Sequence, residues 1–213
     1  MIITIKEIQN QFNYWNNKVF NNELPVPQFE LMQTKHLLGQ FCPRKIMGQY
    51  TYKIRISVFY DRPLESYIDT IVHEMLHYYI KYKGIKDTSS HGRVWKQYAA
   101  NISRKYGLTI TRTNPANGGA TEAVKAKKEG KMEYVFLCKM KSGRYAAAVI
   151  PPGKFGYFNT SFRNWSSVVD LKAVKAPWNE TYRLNHLRTA TSVRHISEEQ
   201  YNNLLTHKRV EIL

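Results

Sequence analysis

The feature that most constrains this chain is the pentapeptide His73-Glu74-Met75-Leu76-His77. It sits in a segment where Leu64, Ile68, Ile71, Val72, Met75, Leu76 and Tyr79 recur at helical spacing. That pattern predicts a helix opened by Arg62-Pro63, running to about Lys83 and stopped by Gly84. Histidines four apart on a helix project from one face, so both imidazoles can reach a single ion. Glu74, beside the first of them, is placed to contact a water on that ion rather than the ion itself. A carboxylate there can accept the proton that zinc makes acidic. The competing reading is a pair of ordinary histidines on an amphipathic helix. A largely buried helix must, however, give clustered imidazoles a polar partner, and a metal provides one.

A catalytic zinc takes three protein ligands and keeps a fourth position open. After Glu74 no glutamate occurs until Glu122, and Ile80 stands where a turn-forming glycine would be needed to bring in a nearer histidine. Two candidates remain, Asp87 and His91. His91 precedes Gly92 at the start of a further helix, expected to run to about Tyr106 with Ser89 or Ser90 as its cap. A loop-to-helix corner of this kind can aim an imidazole back at the first pair, which favours His91. Asp87, within Lys-Asp-Thr-Ser-Ser, reads as a solvated loop residue. Asp69, one turn before His73, is either an acceptor for a ligand histidine or an exposed helix acid. Trp95 reads as packing between the two helices, and His36, His186, His195 and His207 as ordinary histidines.

Around this centre the pattern alternates helix and strand. An amphipathic helix is expected over Ile3–Phe20, stopped by Asn21-Asn22-Glu23-Leu24-Pro25. Short strands are expected at Phe29–Met32, Leu37–Cys42 and Ile54–Phe59, arranged as an antiparallel meander. The turn chemistry of Asn114-Pro115-Ala116-Asn117-Gly118-Gly119 and the charge run from Lys125 to Lys131 mark a linker over 108–131. It separates a domain at 1–107 from a smaller β-rich domain at 132–213. In the latter, Tyr134–Cys138 and Arg144–Ile150 read as a hairpin, and Ser197-Glu198-Glu199-Gln200 as a capping box opening a final helix to Leu205.

Charge bears on partners rather than fold. The 213 residues include 32 Lys and Arg against 16 Asp and Glu, a formal +16, with the excess in both halves. Such a surface attracts polyanions, nucleic acid foremost. The aromatics Tyr134, Phe136, Tyr145, Phe155, Tyr157 and Phe158, set among Lys139, Lys141, Arg144 and Lys154, could stack single-stranded bases; strand alternation would make several of them core instead. Only Cys42 and Cys138 occur, which excludes a disulfide-dense scaffold and a four-cysteine zinc site made by this chain. No apolar run reaches the roughly 20 residues of a membrane helix, and Met1-Ile-Ile-Thr-Ile-Lys is not a secretory leader. A cytoplasmic protein with no membrane partner is expected.

Several of these residues together resemble the SprT-like metallopeptidases, the family of the protease Spartan. They are the first helix with Val19-Phe20-Asn21-Asn22-Glu23-Leu24-Pro25, the strand Leu38-Gly39-Gln40-Phe41, the His73–His77 motif, and His91-Gly92 followed by Trp95. The resemblance covers roughly residues 3–106. It implies an α+β fold, a small zincin-like domain with its zinc helix packed on a short sheet. It also implies zinc held by His73, His77 and His91, Glu74 as catalytic base, protein substrates, and a link to DNA. Many members continue into a zinc ribbon with four cysteine ligands; here the corresponding stretch keeps only Cys138, so the C-terminal region is expected to be ribbon-like without zinc ligands. The leading function is a zinc metalloendopeptidase acting on DNA-associated proteins. The alternative is a basic nucleic-acid-binding protein with a structural or vestigial metal site. Oligomeric state leaves no signal in the sequence.

Overall fold

A computed structural model describes residues 2–113, 118–188 and 192–210. The turn residues Asn114 to Asn117 of the expected linker lie outside the described residues. The chain divides into two compact units, Met1–Val124 and Lys125–Leu213.

Unit 1 begins with α1 (Ile5–Phe20), whose N-terminus is closed by a capping box between Thr4 and Glu7. Ile8, Phe12, Trp15 and Phe20 are its buried face. Asn21 and Asn22 both take left-handed backbone conformations that end the helix, and the buried Asn16 amide bonds both main-chain groups of Leu24. Strands β1 (Gln28–Met32), β2 (Gly39–Ile46) and β3 (Gln49–Ser57) form a sheet ordered β1-β3-β2. β2 and β3 are an antiparallel hairpin turning at Met47 and Gly48, both at positive φ. β1, however, pairs parallel with β3, so the expected antiparallel meander is corrected to a mixed sheet. Pairing order is a tertiary choice that short apolar runs do not encode. Here it leaves β2 as the strand that meets the next helix.

That helix, α2 (Leu64–Tyr82), is the longest in the chain and buries Tyr67, Ile71, Val72, Met75, Leu76 and Tyr78. α3 (Arg93–Tyr106) follows and ends at Gly107 in the left-handed conformation. These elements share one apolar core built from α1, the sheet, α2 and α3. Beyond α3 the chain stays attached to it. Ile110, Ala120, Thr121 and Val124 are buried, Ala120 bridges to Tyr60, and α4 (Glu122–Ala126) forms within the stretch expected as linker.

Unit 2 is built on a larger sheet of β4 (Met132–Met140), β5 (Tyr145–Ile150), β6 (Val168–Pro177), β7 (Asn185–His186), β8 (Arg194–Ile196) and β9 (Lys208–Arg209). Its main order is β7-β5-β4-β6-β9, and β8 shares the outer edge of β5 with β7. The expected hairpin is β4–β5, turning at Ser142-Gly143 with Gly143 at positive φ. Cores lie on both faces of this sheet. Phe136 packs with Phe158 and Phe162 of α5 (Phe155–Arg163) on one face, and Leu137 with Tyr201 and Leu204 of α7 (Glu198–Leu205) on the other. The short α6 (Trp178–Thr181) links β6 to β7. Together the units make an α+β protein with a β-rich C-terminal part, as expected.

Candidate metal centre

Period and burial force the two histidines of α2 onto one side. Ile71, Val72, Met75 and Leu76 are fully buried in the core, which turns His73 and His77 toward the start of α3. His91 reaches them from a turn held in place by Asp87. α3 has no side-chain cap of its own; its first residue follows Gly92, and the Trp95 N–H donates to Asp87 Oδ2 at 2.8 Å. Neither Ser89 nor Ser90 caps the helix, so that expectation is corrected. Asp87 also accepts the Thr88 N–H at 2.7 Å, and these main-chain donors hold its carboxyl below the usual range. It is therefore a remote cap rather than a ligand or a freely solvated residue. Gly92 is required by this corner, because a Cβ there would sit 2.1 Å from Asp87 Oδ1.

The three imidazoles converge. Each Nε2 of His73, His77 and His91 lies 3.1 Å from the other two. A neutral imidazole directs one N–H or one lone pair in its ring plane, so three nitrogens facing a common point cannot all satisfy each other. A shared cation satisfies all three. For tetrahedral coordination at about 2.0–2.1 Å, ligand nitrogens lie about 3.3–3.4 Å apart, close to the separation seen. Among the described residues this is the one cluster of His, Cys, Asp and Glu suited to a metal, and it could hold one.

The surroundings keep the rings in the neutral form a ligand needs. Burial lowers His77 to about 3 and His73 to about 4, helped by the neighbouring imidazoles. Burial also lowers His91, with Arg112 and Lys96 adding repulsion. Trp95 lies beneath the cluster, its ring centroid 4.8, 5.5 and 4.5 Å from those of His73, His77 and His91. The packing role expected for it is thus exercised against the three imidazoles. His73 is also bonded to the main chain of Thr111. Asp69 does not supply that bond. Its Oδ1 accepts the Thr109 N–H at 2.8 Å, tethering the segment that carries Thr111. No side-chain pattern could have revealed Thr111, because its contribution is made by the backbone.

Glu74 faces the same cleft with only 6% of its surface exposed. Burial pushes its carboxyl up to about 8, while a hydrogen bond from the Phe41 main chain pulls the other way. Gly39 of β2 fits against it. A Cβ at Gly39 would lie 2.7 Å from Glu74 Oε1 and 2.7 Å from Thr70 Cγ2. Thr70 is in turn held by Arg62, whose Nη1 donates to Thr70 Oγ1 at 3.0 Å and whose Nη2 donates to the Ser57 carbonyl at 3.2 Å. The cleft measures about 790 Å³, and β2 residues, Lys81, Arg112 and His36 also line it. That volume suits an extended side-chain-bearing ligand rather than a lone ion.

A sequence model of the SprT-like family matches residues 8–114, a span containing all four of these site residues. No curated protein matches the chain.

Proposed function

The chain belongs to the SprT-like family, and on that premise we propose that it is a zinc-dependent metalloendopeptidase acting on DNA-associated proteins. The observation that carries this reading is the convergence of three Nε2 atoms at 3.1 Å beside a buried carboxylate in an open cleft. His73, His77 and His91 would hold the zinc, which when bound supplies Lewis acidity and makes a water acidic near neutral pH. Glu74 then serves as the base. Burial favours its neutral acid form, and a cation on the adjacent imidazoles would favour the carboxylate; in that form it takes a proton from the water attacking the scissile carbonyl and delivers it to the departing amine. The Phe41 main chain and the close fit of Gly39 orient that carboxylate, and its burial strengthens its hold on a proton once taken.

A structural metal site is closed by four protein ligands, whereas this cluster offers three among the described residues. A structural site also has no use for a buried acid beside its ligands, so the non-catalytic alternative has less support. The link to DNA is supported by the family and by the +16 charge. We take unit 1 as the catalytic module and the region after the expected linker as an accessory module.

The test is digestion of an unfolded protein such as casein by the purified chain, with and without DNA. Hydrolysis that a chelator stops and zinc restores is the expected result, with stimulation when DNA is present. A chain carrying one zinc that cleaves nothing in either condition contradicts the proposal.

A further inference from the structure

The unit 1 cleft carries charges that the metal centre does not use. Among the described residues lining it, Glu74 is the only carboxylate, and it is buried beside the imidazoles. Two cations line the same cleft, Lys81 and Arg112, and both are exposed. Among the described residues neither is paired with a carboxylate; Lys81 Nζ instead lies 4.9 Å from the Tyr50 ring centroid. A second cleft, about 570 Å³ among α6, β8 and α7 of unit 2, is different. Its arginines are engaged, Arg194 Nη1 donating to the Arg183 carbonyl at 2.7 Å and Arg183 Nε to the Tyr182 hydroxyl at 3.1 Å, and Glu180 shares its lining.

The two cations of unit 1 stand at opposite ends of the metal site. Arg112 follows a segment stapled to the helices at three successive residues. The Thr109 N–H donates to Asp69 Oδ1 at 2.8 Å, the Ile110 N–H donates to Ser103 Oγ at 3.2 Å, and the Thr111 main chain meets the His73 ring. Arg112 therefore enters the cleft at its His73 end, near enough to His91 to repel a positive charge there. Lys81 lies in the last turn of α2, eight residues beyond His73. At 1.5 Å per residue that is about 12 Å along the helix, the reach of roughly four residues of extended peptide. β2 follows the same path, from Gly39 against Thr70 and Glu74 to Phe41, whose ring lies 5.2 Å from that of Tyr78.

β2 is an outer strand of its sheet, and such an edge pairs with extended polypeptide rather than with a sugar–phosphate backbone. Leu38, Ile80 and Ile85 give the groove beside it apolar walls. We propose that the unit 1 cleft selects extended polypeptide segments carrying an acidic side chain at each end of a short apolar stretch, with Arg112 and Lys81 as the groups that read them. The selection has two parts: the cations attract carboxylates, and they repel Lys and Arg with no acid in the open part of the lining to offset them. The inference rests on the peptidase reading and narrows its substrates. The basic segments with which a DNA-associated protein holds DNA are disfavoured, and its acidic segments are the ones taken.

The test uses labelled peptides that share a central Leu-Ala-Ala and carry Glu, Gln or Lys at both its ends. Their affinity is read by fluorescence anisotropy on the zinc-loaded full chain carrying Glu74→Gln, and their cleavage on the zinc-loaded wild type. The Glu peptide should bind about fivefold to tenfold more tightly than the Lys peptide, two exposed attractions replacing two repulsions, and added salt should narrow the gap. Arg112→Gln/Lys81→Gln, introduced into the same chain, should erase the preference, and Arg112→Glu/Lys81→Glu should invert it, with zinc content and far-UV circular dichroism unchanged. Lys139→Glu/Lys141→Glu, which alters net charge outside the cleft, should leave the preference in place. An order that survives both cleft variants overturns the inference, as does an equal response to the Lys139 and Lys141 variant or failure of all the peptides to bind. Displacement of the Glu peptide by a thymidine dodecamer more readily than by the unlabelled peptide, lost with the cleft cations, would assign the groove to nucleic acid and overturn it too. Wild type that cleaves Glu and Lys peptides equally contradicts the inference and leaves the peptidase reading standing. Wild type that cleaves neither, while binding keeps the expected order, contradicts the peptidase reading and supports the selection.

Discussion

The two clefts of this molecule differ in how far their polar groups are withdrawn from water. In unit 1 the groups that matter are drawn inward. Glu74 is buried and His73 and His77 are half-buried, and the loss of solvation drives the carboxyl toward its protonated form and the imidazoles toward their neutral one. In unit 2 Arg183, Arg194, Gln200 and Asn203 are exposed beside the buried Leu184 and Leu204, and Arg194 and Gln200 are each tied to the main chain. Burial shifts the protonation of the groups in unit 1, and exposure leaves those in unit 2 solvated. Helix α2 makes the first possible because its core face leaves a fixed row for His73 and His77. The second depends on where three short elements happen to meet.

The largest effect that would break this contrast concerns the third imidazole. His91→Ala should lose the bound zinc altogether, while Asp87→Ala should keep it. Elemental analysis of both variants decides the matter, and full zinc retention by His91→Ala removes His91 from the ligand set. Next comes Gly39→Ala. The added methyl must displace Glu74 or Thr70, so hydrolysis should fall by about tenfold or more with zinc content unchanged. Activity equal to wild type would show that the fit of β2 against Glu74 has no part in orienting it.

Unit 2 should be open to damage that leaves the metal centre alone. Phe136, fully buried against Phe158 and Phe162, can be truncated to alanine. The cost should be about 3–5 kcal/mol of stability by chemical denaturation, with one zinc still bound per chain. Loss of zinc from that variant would mean the two units do not fold as separate modules. A smaller effect is expected at Glu133. Burial pushes its carboxyl up, but Lys131 Nζ at 2.6 Å and the Thr181 hydroxyl at 2.6 Å outweigh that and leave it below the ordinary value. A group lowered by folding stabilises above its unfolded pKa of about 4.5 and loses that contribution as pH falls through its folded value. Glu133→Gln should therefore flatten the acid side of the stability profile and have no such effect on its slope above neutral pH. An unchanged acid limb would show that this cluster does not contribute.

Much of unit 1 was legible in the sequence because its signals are periodic. The apolar faces of α1 and α2 set both helices nearly to the residue, and the four-residue interval between His73 and His77 implies a shared ion. His91 was reachable by elimination. What escaped were contacts made by backbone or by a partner distant in sequence. Asp87 caps α3 from eight residues before Trp95, the β1–β3 pairing is parallel, and Thr111 meets His73 through its main chain. Gly39 announced a strand but not that its missing side chain makes room for a carboxylate. In unit 2 the β4–β5 hairpin was readable from its alternation and its Ser-Gly turn. The same alternation sends Phe136 into the core, where Phe158 of α5 joins it, and Tyr157 alone among the expected stacking aromatics is strongly exposed. The unit 2 cleft was invisible in the sequence, since Arg183, Arg194 and Gln200 share no spacing rule.

The central claim is that Glu74 performs proton transfer beside a histidine-bound zinc. It is tested most directly by comparing wild type and Glu74→Gln for zinc content and casein hydrolysis in the same preparation conditions. The amide keeps the shape of the side chain but cannot accept a proton. Equal zinc in the two proteins, with hydrolysis reduced by about a hundredfold or more in the variant, is the predicted result. A variant with equal zinc and activity within about tenfold of wild type would contradict it, because the base would then lie elsewhere.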